Sequence, residues 1–383
     1  MIKSKIDQNL FYIVSLLDED KKWECIVHAN DFSRTKNILK QKKIEILNEY
    51  LFIKSFRVKA CKRDIEYLSK TTQVKYISSV SKASMQMQVA KEILGIKDFL
   101  CDGEGVTIAF IDTGIVCHAD FCLGKNRILK FIDFVGEKEK PYDDNGHGTF
   151  VAGVCSGNGS MSAGRYSGIA PKSNIISLKA LNGKGEASAD KILNAMEWVY
   201  NNHDKYNIKV VCMSFGSEPL GFNDPIMKGA EALWNEGVVV VAAAGNSGPE
   251  YNTIKSPGVS KFIITVGGFN DNRISPKEYN ESYFEIADFS SRGPAFQRFK
   301  PDVVAPSVDI ISCGIKETYT SLSGTSVATP MIAGLSALIL QQNPILTPLD
   351  VKRALLSSCR PICLNRNFEG YGYPLLKNLF KNG

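Results

Sequence analysis

From Gly103 onward, near-continuous apolar runs alternate with amphipathic stretches, and that alternation admits few folds. The runs are Val106–Ile111, Ile175–Leu178, Val210–Cys212, Val238–Ala243 and Phe262–Val266. A strand with one wet face alternates apolar and polar residues, whereas a strand covered on both faces does not, so these runs predict the buried strands of a parallel sheet. Helix signals separate them. One helix starts at Ser188 and sets Ile192, Met196, Val199 and Tyr200 on a common face. Another opens at Asp224-Pro225, an N-cap residue followed by a first-turn proline, with Ile226, Ala230, Leu233 and Trp234 inward. Thr347-Pro348-Leu349-Asp350 has the form of a capping box before a last helix. This order predicts an α/β fold, a parallel sheet with helices on both faces.

The first 86 residues are patterned differently. Strands are expected at Leu10–Leu16, Cys25–His28, Tyr50–Val58 and Val74–Val80, with helices at Phe32–Gln41 and Ile65–Ser69. That order suggests a small α+β module of ferredoxin-like type. Ser81–Gln88 is polar and weakly patterned and reads as a connector, dividing the chain into 1–86 and 87–383 with a linker near 80–90. Charge divides at the same place. The chain carries a net +6, yet residues 1–86 hold 17 basic against 10 acidic residues, and the rest holds 29 against 30. The excess marks either a separate module or a solvated basic face. A near-neutral body argues against a nucleic-acid partner.

The apolar run Leu10–Leu17 is short, lacks a small-residue cleavage site and meets Asp18-Glu19-Asp20-Lys21-Lys22 at once, so it is not expected to be an export signal. No segment is long and uncharged enough for a bilayer span, and no membrane partner is expected. The ten cysteines show no Cys-x-x-Cys and no zinc-ligand spacing, and only four histidines accompany them. A structural metal cage is therefore not expected. The thiols are expected to be reduced and mostly buried, in a cytoplasmic protein.

Three glycine-rich turns carry an acid, an imidazole and a hydroxyl: Ile111-Asp112-Thr113-Gly114, Asn145-Gly146-His147-Gly148-Thr149 and Ser323-Gly324-Thr325-Ser326-Val327-Ala328-Thr329-Pro330. Asp112 ends an expected strand. His147 and Ser326 each precede an apolar stretch that should be helical, which places all three where strands end and helices begin. Pro330 is expected in the first turn of the Ser326 helix. Amide hydrolysis needs this trio, because a serine hydroxyl becomes a nucleophile only as an imidazole takes its proton. The carboxylate holds that imidazole in the right tautomer and stabilises its cation.

In this chain order the motifs resemble those of the subtilase family, over a span from about Gly103 to about Cys359. The resemblance implies a subtilisin-like serine endopeptidase domain with Asp112, His147 and Ser326 as the triad. Ala242-Ala243-Ala244-Gly245-Asn246-Ser247-Gly248-Pro249 matches the segment that supplies the oxyanion-hole amide, which makes Asn246 the donor beside the Ser326 N–H. Its alternative role is that of a turn residue. The resemblance further implies that a peptide substrate adds as a strand, with Ser214-Phe215-Gly216 as the edge and Ala243-Ala244-Gly245 as the far wall of the first specificity pocket. In Thr253-Ile254-Lys255-Ser256-Pro257 the chain departs from the family, which has Gly or Ala at the position of Lys255. An ammonium on the pocket floor would favour a Glu, Asp or Gln side chain; the alternative is that Lys255 snorkels to solvent.

Residues 1–86 are similar to a subtilase propeptide, an intramolecular inhibitor cut off autocatalytically around Met85–Met87. The signal-free start, the loop Gly157–Gly168 and the stretch from Val210 through Asn246 to Gly267 resemble the cytosolic AprX-like group of Gram-positive bacteria. No cofactor is required by such a triad. The family's calcium loop with paired asparagines is not recognisable in Gly157–Gly168, which leaves Asp120 as a lone candidate calcium ligand. The expected partners are protein or peptide substrates and the chain's own propeptide. Other readings share these residues: a specialised leader peptidase for a modified bacterial peptide, or a transpeptidase; a catalytically silent peptide-binding regulator; and an N-terminal module that binds a partner.

Overall fold

The computed structural model describes residues 5, 6, 10, 22–79, 86–96, 100–273 and 280–376. The chain divides into two units, Met1–Ala83 and Ser84–Gly383. In the first, β1 (Trp23–Ala29), α1 (Phe32–Gln41), β2 (Glu45–Tyr50), β3 (Ser55–Ala60), α2 (Lys62–Lys70) and β4 (Val74–Ser79) follow one another. The strands form an antiparallel sheet ordered β2-β3-β1-β4. The single strand expected at Tyr50–Val58 is instead a hairpin corner. A 3₁₀ turn at Leu51–Ile53, closed by Lys54 in the left-handed region, reverses the chain between β2 and β3. The result is a β-α-β-β-α-β order, the ferredoxin-like arrangement. Val27, Leu39, Phe56, Ile65, Leu68 and Ile77 pack as its core, and Leu10 joins them. The remainder of the strand expected at Leu10–Leu16 lies outside the described residues, as does Val80.

The second unit begins with α3 (Gln86–Ile93). Of the connector expected at Ser81–Gln88, residues 81–85 lie outside the described residues, while 86–88 are helical. Met87 is fully buried in the core of this unit, so residues 86–88 are not part of an open segment as the sequence suggested. Apolar side chains at Met87, Ala90 and Leu94 recur at helical spacing and bury one stripe, which overrides the polar residues between them.

The sheet consists of β5 (Thr107–Asp112), β6 (Ile128–Asp133), β7 (Asn174–Lys179), β8 (Ile208–Met213), β9 (Val239–Ala243) and β10 (Ile264–Asn270), with β11 (Glu285–Ile286) and β12 (Val303–Pro306) beside β10. The order is β11-β10-β9-β8-β5-β7-β6, parallel except for β11. All five expected strands are present, with ends shifted by a few residues. Strand β6 was not expected, because it lies at the sheet edge, where Leu129 and Lys130 are exposed and the apolar run is broken. In chain order, α4 (Ala119–Cys122), α5 (His147–Ser156), α6 (Ala189–Asn202) and α7 (Pro225–Asn235) interleave with these strands. A hairpin of β13 (Ile310–Cys313) and β14 (Tyr319–Leu322) leads into α8 (Thr325–Gln342), and α9 (Pro348–Ser358) follows.

Helix α8 is buried along almost its whole length, as a helix that is apolar on every face must be. Asp224 caps α7 by accepting from Met227 N, and Thr347 with Asp350 forms the capping box of α9. In α6 the inward face is Ile192, Ala195, Met196 and Val199, while Tyr200 is exposed. Pro330 stands in the second turn of α8, because the helix already starts at Thr325. With no N–H at Pro330, the Ser326 carbonyl lacks its usual helical donor.

Cys117 and Cys122 form a disulfide with a Cα–Cα distance of 5.9 Å, which corrects the expectation that all thiols are reduced. The one-turn helix α4 brings the two residues within bridging distance, a fold-back that their spacing does not signal. The other eight cysteines form no disulfide.

Near the C-terminal end of the unit, Asp302 pairs with two lysines, Lys300 at 2.7 Å and Lys352 at 2.9 Å. Lys300 also donates to Thr265 Oγ1 at 2.7 Å, and Lys352 to Ile263 O at 2.7 Å. Burial brings the Lys300 pKa down to about 7, against the opposing pull of Asp302. Between that value and the ordinary lysine range, the unfolded chain holds a proton that the folded chain does not, so this residue makes stability rise with pH across the window. In a Ser326→Ala background, which avoids self-digestion, Lys300→Met is expected to reduce the gain in urea midpoint between pH 7 and pH 9. An equal gain in both proteins would contradict this assignment.

Candidate active site

Strand β5 has β7 on one side and β8 on the other, and Asp112 is its last residue. The carboxyl ends of strands, where chain order reverses, form the crevice in which open α/β sheets carry their chemistry. Asp112 is only 2 % exposed. Its Oδ1 accepts from Thr113 N at 2.7 Å and lies 2.7 Å from His147 Nδ1. Oδ2 is buried without a hydrogen-bond partner, so the imidazolium that forms during a proton transfer is the cation best placed to answer this anion.

His147 is the first residue of α5, and two carboxylates organise the turn before it. Asp143 Oδ1 accepts from Thr113 Oγ1, Asn145 N and Gly146 N at 2.9, 3.1 and 2.8 Å. Its Oδ2 accepts from Thr149 N at 2.9 Å and Thr149 Oγ1 at 2.7 Å. Burial raises the Asp143 pKa, but these hydrogen bonds outweigh it and hold the carboxyl below its ordinary value. An anion at a helix N-terminus also meets the positive end of the helix dipole. Asp144 pairs at 2.7 Å with Lys179, the last residue of β7. Lys179 is fully buried and is the register partner of Asp112; it donates as well to Thr113 O at 2.6 Å and Leu181 O at 3.0 Å. Gly148 is needed for close approach: a Cβ there would lie 2.3 Å from Gly114 O. Asp143, Lys179 and Thr113 escaped the sequence reading. A carboxylate within four residues of a helix start was a usable signal for Asp143, whereas nothing local marks Lys179.

Partial burial lowers the His147 pKa, but Asp112, by charge and hydrogen bond, and then Asp143 carry it above the ordinary histidine value of 6.5. Ser326 is the second residue of α8, a helix that packs against α5. Among the described residues its Oγ makes no hydrogen bond to His147; catalytic hydrogen bonds of this kind commonly tighten only when substrate is bound. Asn246 faces Ser326 across Gly324, where a Cβ would lie 3.2 Å from both Asn246 Nδ2 and Ser326 Oγ. Thr325 fixes the amide of Asn246: its N and Oγ1 both donate to Asn246 Oδ1 at 2.9 Å. The NH₂ group is thereby turned toward the serine side. Thr325 was overlooked in the sequence because it reads there as a helix-start residue.

A cleft of about 210 Å³ opens beside Ser326, lined by Ser214, Phe215, Gly216, Ala243, Gly245, Asn246, Ser247, Lys255, Thr325 and Ser326. It gathers the expected substrate-binding residues with one exception. Ala244 points away into a separate apolar cluster with Met227, Ile254 and Val259, as alternation along an extended segment requires. Ser247 is an addition.

Asp120 does not stand in an oxygen cage. Its oxygens accept from Tyr319 OH at 3.0 and 2.9 Å, Met161 N at 3.2 Å and Cys313 Sγ at 3.5 Å. His118 and Cys313 are its neighbours in the one close His/Cys/carboxylate group found among the described residues. Calcium takes about six to eight oxygen ligands; one carboxylate already surrounded by hydrogen donors does not fit that requirement.

A parallel sheet whose central strand delivers an aspartate to a helix-borne histidine, with a helix-borne serine beside a fixed amide, defines a serine-peptidase architecture of the subtilisin type. The model of the subtilase (peptidase S8) family matches residues 103–380, and the chain belongs to that family. It is 43 % identical over 275 residues to serine protease AprX of Bacillus subtilis (strain 168), a match covering 66 % of this chain and 61 % of that protein. The M-protease of Shouchella clausii (strain KSM-K16) is 28 % identical over 370 residues, covering 94 % of this chain and 89 % of the relative. Among solved structures, S41 psychrophilic protease superposes with a TM-score of 0.64 at 30 % identity, over 75 % of this chain and 97 % of that one.

Two outcomes are expected at this site. Asn246→Ala should lower kcat by about 10²–10³-fold, the loss typical of removing one oxyanion donor in a subtilisin, and Thr325→Val should lower kcat in the same direction with little change in KM. Because the free enzyme needs a neutral imidazole, kcat/KM should fall as pH drops through a value above 6.5, and the weakened activity of Asp112→Asn should show this limb at lower pH. A limb that stays in place would separate Asp112 from the titration of His147.

Proposed function

We propose that this chain is a serine endopeptidase that hydrolyses peptide bonds through Asp112, His147 and Ser326 and matures by cutting away its own N-terminal unit. The observation that carries the reading is the 2.7 Å pair of Asp112 and His147, together with an asparagine amide fixed on the serine side. Ser326 Oγ attacks the substrate carbonyl as His147 Nε2 takes its proton, and Asp112 holds the imidazolium. The oxyanion meets Asn246 Nδ2 and the Ser326 N–H. His147 then gives its proton to the leaving amine, and a water, deprotonated by the same imidazole, releases the acyl group.

The N-terminal unit serves in this reading as the propeptide and first inhibitor, and the cut falls ahead of the helix that begins at Gln86. Lys255 is the one charged residue among those lining the cleft, which supports a preference for an acidic or Gln residue before the scissile bond. The same lysine favours, as a second reading, a processing enzyme of narrow specificity such as a leader peptidase. Among the described residues no helix is long and apolar enough to cross a membrane. A cytoplasmic setting belongs to the same proposal and draws on the eight cysteines that form no disulfide, against which the Cys117–Cys122 bridge would sit more easily in an oxidising compartment.

Intact masses of wild type and Ser326→Ala, purified side by side, test the proposal. Wild type should split between about residues 80 and 86 while the variant stays whole. Two whole proteins, with no cleavage of casein or mixed peptides by wild type, would overturn it and favour a silent peptide-binding protein.

A further inference from the structure

Lys255 does not project freely into the cleft. Its backbone N–H donates to Ala244 O at 2.9 Å. The next residue, Ser256, exchanges both backbone hydrogen bonds with Ser217, each at 2.9 Å, in an antiparallel bridge. One step from that bridge on either chain lie Lys255 and Glu218, so the register itself brings the two side chains together. The methylenes of Lys255 fill the gap between the two walls. A Cβ on Gly216 would come within 2.6 Å of Lys255 Cβ, and one on Gly245 within 2.5 Å of Lys255 Cγ. At the end of this stem the ammonium forms a close ion pair with Glu218 Oε1. The Lys255 side chain is 18 % exposed and that of Glu218 is 79 % exposed.

We infer that Glu218 is an internal competitor for the cation of the first specificity pocket: it holds Lys255 until the carboxylate of a substrate residue before the scissile bond displaces it. The inference rests on the peptidase reading above and adds the residue that sets how selective the pocket is. An ammonium whose stem is packed between the two walls, with 18 % of the side chain exposed, gains from a counter-charge, and Glu218 supplies one while the pocket is empty. Glu218 is itself mostly in water, so releasing it costs little, since exposed ion pairs are weak. A substrate carboxylate reaches the ammonium from the cleft that Lys255 lines, and as the bound side chain displaces water the pairing is screened less. An uncharged substrate side chain meets a neutralised pair rather than a bare ammonium. Glu218 therefore widens the range of residues accepted, and the substrate class that gains most from its removal is a peptide with glutamate before the scissile bond.

The test uses full-length wild type, Glu218→Gln and Lys255→Met on three peptides that differ only in Glu, Gln or Leu before the scissile bond. Wild type should prefer Glu. In Lys255→Met the Glu:Leu ratio of kcat/KM should fall by about 10–100-fold, the range of a lost hydrogen bond to a charged group. In Glu218→Gln the same ratio should rise by about 2–5-fold, the range of an exposed ion pair, and added salt should reduce the rise. If Lys255→Met collapses the ratio and Glu218→Gln leaves it unchanged, the competitor role is overturned while Lys255 keeps its place in specificity. Unchanged ratios in both variants overturn the role of the pair and leave the peptidase intact. A wild type as inactive as Ser326→Ala overturns both readings together.

Discussion

The buried ammonium of Lys179 ties together the three segments on which the site depends. It stands beside Asp112 in the register of β5 and β7 and directs its hydrogen bonds to Thr113 O, Leu181 O and Asp144 Oδ1. A charge with no exposure must have its donors answered, because an unanswered ammonium in the interior costs several kcal/mol. The strand end, the turn after Asp112 and the loop before His147 can therefore shift only together. Asp143 repeats the device with opposite charge, collecting donors from Thr113, the Asn145–Gly146 turn and Thr149. Between them the two groups hold the Asp112–His147 contact from below.

On the other side of the site, apolar packing takes over this task. Helix α8 is enclosed by strands β8, β9 and β10 and by α5, so the position of Ser326 is set by the whole length of the helix rather than by its first turn. Thr325 then converts that position into an orientation for Asn246 through two hydrogen bonds to one oxygen. Asn246, from the turn after β9, is thereby tied to the first turn of the helix that carries Ser326, a fixed placement of the kind that preorganised stabilisation of a developing charge requires. The wall of the cleft that includes Lys255 is built from two segments joined at the Ser217–Ser256 bridge.

Much of this architecture was legible in the chain. Strands covered on both faces are continuous apolar runs, and the helix caps at Asp224 and Thr347 are local chemistry, so both survive without tertiary information. Strand β6 was not legible, because a partly exposed edge strand lacks the continuous apolar run that marks the covered ones. The corner at Leu51–Ile53 was hidden by its own apolar residues, which suit a strand until Lys54 turns left-handed. The disulfide was invisible because pairing depends on the fold-back of α4, and the buried end of the connector because Met87 finds its partners far away in sequence.

The amino-acid sequence by itself determined the α/β class and the subtilase membership, and it named the Asp112, His147 and Ser326 proposed as the triad, since each of these rests on residue types at short spacings. Tertiary structure decided what lies opposite what. That Ala244 leaves the cleft while Gly245 lines it, that Asp120 is met by a tyrosine, a thiol and a backbone amide, and that Lys255 is shared with Glu218 all follow from contacts between segments far apart along the chain. Such pairings depend on strand register and helix packing, and neither is encoded in any one stretch of residues.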